Sequence, residues 1–127
     1  MEKQHEQFNI RRQVASFKPA INGLVRMWKA GHNYRIHLTV AMLTTLLGIL
    51  LRISRVEWIG VVLCFGLVIS AEIMNTAVEE LVDFISPEHH VMAGQIKDLA
   101  AAAVLVSAGI ACIVGLIIFL PYLAKLV

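Results

Sequence analysis

One short stretch, SAEIMNTAVEELVD at 70–83, carries most of the residues able to do chemistry. On a wheel of about 100° per residue with Glu72 at zero, Asn75, Thr76, Glu79 and Asp83 fall at about −60°, +40°, −20° and +20°. They form one polar stripe about three turns long. Glu80 sits at its edge, and Ile73, Met74, Val78, Leu81 and Ile85 make the opposite face. Carboxylates repeated in register can turn their oxygens toward one point, which suits a hard divalent cation. Downstream, EHHVMAGQIKDLAAAAV brings Glu88, His89 and His90, then Lys97 and Asp98. A histidine pair without a third ligand at zinc spacing is weak as a metal signal. Lys97, a compact cation, suits a phosphate.

The stripe directly follows WIGVVLCFGLVI, a run apolar enough for lipid. A charge inside hydrocarbon costs about 2.5–3.5 kcal/mol on insertion scales, so ionisable groups there mark function. Such a stripe must face something other than lipid. Three loads fit: partner helices in an oligomer, a water-filled path, or a metal with an anionic substrate.

The elements that must position these groups are membrane helices. Of 127 residues, 58% are hydrophobic and 16% charged, whereas soluble domains run at about 45–50% and 25%. Three apolar segments are predicted as transmembrane helices at 36–51, 56–85 and 99–124, within a single membrane domain over 1–127. The turn RISRVE and the proline of SPEHH separate them, leaving 86–98 as a loop. Glu57 and Glu72 interrupt the second span. Cys64 and Cys112 lie inside apolar runs and read as small core residues, not a disulfide framework. Residues 1–35 show no signal-peptide core, so insertion is expected to use the spans themselves.

Ahead of the spans, Ile10, Val14, Phe17, Ile21, Leu24 and Trp28 repeat at steps of four and three, with basic residues between them. That pattern predicts an amphipathic helix region at 7–30 lying in the membrane interface. Pro19 predicts two shorter helices joined by a kink. Seven basic residues precede the first span, and Lys97 would share their side; Arg52, Arg55 and Lys125 would face the other. The bias puts the N-terminus in the cytoplasm. No P-loop or dinucleotide fingerprint is present. A net charge of +2 gives no sign of a nucleic-acid partner.

The blocks YRIHL, EIMNTAVEELVD, SPEHH and KDLAAAAVL, in this order and at these distances, resemble the prokaryotic integral-membrane diacylglycerol kinase family over about residues 12–120. Arg35–His37 and the SPE-x-H block are most similar to its undecaprenol kinase branch. The resemblance implies an all-α homotrimer of three-span subunits in the bacterial cytoplasmic (inner) membrane, each with a surface helix. It implies transfer of the γ-phosphate of ATP, with Mg²⁺, to a lipid alcohol, diacylglycerol or undecaprenol, at the cytoplasmic face. It makes Glu72 the general base, with Asn75 supporting the catalytic carboxylate, and Glu79 a metal ligand. Arg12, Glu79, Glu88, His89, His90, Lys97 and Asp98 fall on the ATP side, and Glu72, Arg35 and Trp28 on the lipid side.

The chain departs from the family pattern in two places. Gly31 stands where a glutamate usually completes the metal site with Glu79, which leaves water, His32 or Glu80 to substitute. A tyrosine usual near Pro19 is also missing. Two other function classes fit the same composition: a small structural or pore-forming membrane protein that kept the fold without strong catalysis, and a cation-conducting oligomer lined by Glu72.

Overall fold

The structure, a computed structural model, describes residues 10–30, 32–88 and 90–125. Among them are four helices and no strand: α1 (Ile10–Ala30), α2 (His32–Leu51), α3 (Arg55–Ile85) and α4 (Val91–Leu123). They belong to two compact units, one ending at Ala30 and one beginning at residue 31.

In the first unit α1 is one continuous helix through Pro19, not the kinked pair expected from the sequence. Proline lacks only the N–H that would bond the carbonyl four residues back, and the helix carries that single gap. Phe17, Ile21, Leu24 and Trp28 stay exposed along one face.

The second unit holds three helices long and apolar enough to cross a membrane. At 1.5 Å per residue, α3 and α4 are about 46 and 50 Å long, well beyond a hydrocarbon core of about 30 Å. Their extra length is polar and lies at the end away from the 52–54 turn. α4 begins at Val91, so Lys97 and Asp98 sit on its second turn and not in a loop. The cause is local: His90 takes the N-cap position and its Nδ1 accepts from the Met92 N–H at 3.2 Å. The connection between α3 and α4 shrinks to 86–90.

The other end is tightly specified. Arg52 adopts a left-handed φ of 52°, and the Ile53 N–H reaches the Gly48 carbonyl at 3.1 Å, closing α2 with a Schellman turn. Ser54 and Glu57 form a capping box at the start of α3. The Tyr122 hydroxyl of α4 donates to the same Glu57 carboxylate at 2.8 Å. Glu57 is therefore no interruption of a span but a helix cap tied to a neighbouring helix. Ile53, Val61, Ile118 and Phe119 form the buried cluster beside this network, with Trp58 and Tyr122 packed against it. α2 approaches α3 closely here: a Cβ on Gly48 would lie 3.0 Å from the Trp58 ring and 3.1 Å from Ile53.

Candidate functional site

The buried positions of α3 are Val61, Val68, Glu72 and Asn75, at steps of seven, four and three. That spacing is one helix face turned toward its neighbours. The polar stripe is therefore the continuation of the packing face, which changes from apolar to polar at Glu72. Glu72 is 3% exposed and Asn75 6%; Thr76 and Glu79 are half-buried and Asp83 is exposed. By helix rise, Glu72 stands about 25 Å from Arg55 and Glu79 about 36 Å. The stripe thus occupies the end of α3 farther from the 52–54 turn.

Its polar groups are only partly paired. Asn75 Nδ2 donates to Glu79 Oε1 at 3.0 Å. Asn75 Oδ1 is buried with no hydrogen-bond partner among the described residues, a state that costs about 1–3 kcal/mol until a donor arrives. Lys97 Nζ on α4 donates to Asp83 Oδ1, joining the polar ends of the two helices.

The other sequence-predicted residues are more dispersed. His90 is engaged as the α4 cap. The exposed Glu88 accepts from Ser86 Oγ through its backbone carbonyl at 3.3 Å. Asp98 is exposed on α4, Arg35 is exposed on α2, and Trp28 lies on α1 in the other unit. Arg12 falls within α1, but its side chain, like that of His32, lies outside the described residues, as do Gly31 and His89. Among the described residues no three His, Cys, Asp or Glu side chains gather to hold a metal. Glu79 offers a half-buried carboxylate. That fits Mg²⁺, which takes one or two carboxylates and fills its other positions with phosphate oxygens and water.

Two grooves flank the stripe. One, of about 300 Å³, runs between α2, α3 and α4 from Phe119 to His37 and Ile69, one turn short of Glu72. Its walls are apolar apart from His37, Thr44 and the two thiols. Cys64 is half-buried and Cys112 exposed, both free, so the cysteines line this groove and are not core residues. The second groove, of about 370 Å³, follows α3 and α4 and is lined by Asn75 with Ser70, Ala71, Ala100 and Ala103.

Reasoning from the sequence missed the Glu57–Tyr122 tie. The S-x-x-E of SRVE before an apolar run signals the capping box. No sequence signal places Tyr122 on Glu57, because that tie is formed across two helices.

The prokaryotic diacylglycerol kinase family pattern matches residues 18–119. The undecaprenol kinase of Bacillus subtilis (strain 168) is 37% identical over 123 residues, 97% of this chain and 100% of that protein. The diacylglycerol kinase of Synechocystis sp. is 33% identical over 89% of this chain and 65% of its own length. The diacylglycerol kinase of Escherichia coli (strain K12) is 30% identical over 72% of this chain and 75% of its own. With its three apolar helices and a match over most of its length, the chain belongs to the prokaryotic diacylglycerol kinase family.

Proposed function

We propose that this protein is a lipid kinase that transfers the γ-phosphate of ATP to the hydroxyl of a membrane lipid alcohol, diacylglycerol or undecaprenol. The observation that carries this reading is Glu72: a buried carboxylate on a membrane helix, one turn beyond the end of an apolar groove. Phosphoryl transfer depends on positioning and charge neutralisation more than on covalent help. A carboxylate there takes the proton as the lipid oxygen attacks the γ-phosphorus.

Asn75 holds Glu79 in place through its Nδ2, and its Oδ1 remains open to a donor from substrate or partner. Glu79 would hold Mg²⁺, which neutralises the phosphate charge when bound. Lys97, Asp98, Glu88, His89, His90 and Arg12 belong to the nucleotide side in this reading. Lys97 would exchange Asp83 for phosphate, since both are anionic oxygens. Arg35 and Trp28 belong to the lipid side. α1, with its exposed aromatic face and basic residues, lies on the cytoplasmic surface of the inner membrane, and the basic-residue bias puts the N-terminus there. The working unit is a homotrimer.

The test is γ-phosphate transfer from labelled ATP in membranes supplied with diacylglycerol or undecaprenol side by side. Labelled phospholipid from either supports the reading and names the lipid. No transfer to either lipid rejects it and leaves a structural membrane protein.

A further inference from the structure

Three cations share the end of the membrane unit away from the polar stripe. Arg52 and Arg55 flank the joint between α2 and α3, and Lys125 follows the close of α4. All three are exposed. The hydrogen bond from Tyr122 to Glu57 ties the last turn of α4 to the first turn of α3, so Lys125 and the two arginines belong to one rim. Glu57 is the sole acidic residue of the sequence between 32 and 71, and 99–127 has none. Its Oε2 is already committed: it accepts from the Ser54 N–H at 2.6 Å and from the Tyr122 hydroxyl at 2.8 Å. Among the described residues no carboxylate pairs with Arg52, Arg55 or Lys125.

The backbone supplies a second observation. Arg52 closes α2 in the left-handed region, at a φ of 52°. Glycine is the usual occupant of that position, because a side chain there is strained. An arginine kept against the backbone's preference points to a use for its guanidinium. That group offers a planar fork of donors matched to phosphate oxygens.

We propose that this rim binds the phosphate of an anionic phospholipid headgroup. α2, α3 and α4 all terminate here, so the rim lies where membrane helices leave the hydrocarbon. Trp58 and Tyr122, half-buried beside it, are the residue types that collect at the headgroup level. Basic side chains at that level are drawn to anionic lipid. The first turn of α3 is already capped by Ser54, so side chains, not free helix N–H groups, make the contact. Arg55 is about 25 Å along α3 from Glu72, and the site does not depend on the kinase reading. A bound headgroup would hold the joint that fixes how the three helices leave the turn, so anionic lipid should stabilise the fold.

The experiment titrates the full chain in neutral detergent with phosphatidylglycerol or with phosphatidylcholine of the same acyl chains. Thermal unfolding and native mass spectrometry are the readouts. Phosphatidylglycerol should raise the wild-type melting temperature by about 3–6 °C more than phosphatidylcholine does, and should remain bound in the mass spectrum. Arg52→Gln with Arg55→Gln should lose most of that difference. Lys18→Gln with Lys29→Gln removes the same charge from α1 and should lose less than half of it. Arg52→Lys should keep most of the response. Arg52→Gly separates backbone from side chain: it should melt no lower than wild type in detergent alone, yet lose at least half of the response to phosphatidylglycerol. Equal stabilisation of wild type by the two lipids overturns the proposal. Equal losses from the two glutamine pairs also overturn it, by reducing the effect to net charge. Stabilisation by inorganic phosphate as strong as that by phosphatidylglycerol would assign a soluble anion and not a lipid, and overturns it too. If the Arg52–Arg55 glutamine pair does not fold, Arg52→Gly and Arg52→Lys decide: equal lipid responses in those two variants reject the site.

Discussion

At the residue scale the central fact is a carboxylate that is 3% exposed beside an amide that is 6% exposed, both on the packing face of a membrane helix. Glu72→Gln keeps the shape and removes the proton acceptor, so turnover should fall by about 10²–10⁴-fold. Because a neutral amide is easier to keep at that depth, the melting temperature in detergent should not drop. Near-normal turnover would remove Glu72 from the base role. Glu79 raises a second question, since among the described residues no three His, Cys, Asp or Glu side chains gather to share a metal with it. Ligand charge sets affinity for hard cations, so Gly31→Glu should lower the magnesium concentration giving half-maximal kinase rate. Coincident magnesium titrations for the two proteins would point to a second ligand elsewhere, with Glu80 and His32 next to test. Glu72, Asn75 and Glu79 were legible in the sequence because they share one helix, where a 3.6-residue period converts spacing into direction. The pair Lys97–Asp83 was not legible, because each partner sits on a different helix and only packing brings them together.

At the element scale the sequence located the three spans by apolarity and misjudged where apolarity and helicity part. α4 starts at Val91, eight residues before its uncharged run, because a helix needs a cap and backbone bonds, not hydrophobic residues. α1 continues through Pro19 because one missing bond does not end a helix that the flanking turns sustain. The turn at 52–54 looked like a plain polar break, yet it is the most specified joint in the molecule. Its Schellman closure, capping box and Tyr122 tie fix how α2, α3 and α4 leave the turn. Gly48 permits the α2–α3 approach at that joint. Gly48→Ala would push a methyl to within 3.0 Å of the Trp58 ring, an overpacking that should cost about 1–3 kcal/mol. Reversible unfolding in mixed micelles measures it. The ring and Ile53 would have to shift, so an unchanged unfolding curve would show that the close approach is not fixed. Glu72 lies about 25 Å away along α3, so the variant's kcat should stay near wild type wherever it remains folded.

At the scale of the whole molecule, one copy of the chain does not satisfy its own polar groups. Asn75 Oδ1 is buried and unpaired, and the groove it lines is walled by Ser70, Ala71, Ala100 and Ala103. In lipid, helices associate where small side chains let backbones come close and where a polar group finds a partner across the contact. Both features meet in this groove of about 370 Å³ along α3 and α4. The exposed apolar side chains alone would not require a partner, since lipid satisfies them equally well; the orphaned amide oxygen is the stronger argument. A second copy laid along the groove would supply the donor and cover Met74, which is 63% exposed beside it. The protein extracted in a mild detergent should therefore run as a homotrimer by native mass spectrometry or sedimentation. Ala103→Leu would fill the groove with a branched side chain, so the assembly should weaken to smaller species and kinase activity should fall in parallel. A trimer that survives Ala103→Leu unchanged would move the interface to another face of α3 or α4. A wild-type protein that sediments as a fully active monomer would mean that substrate, and not a second copy, satisfies Asn75.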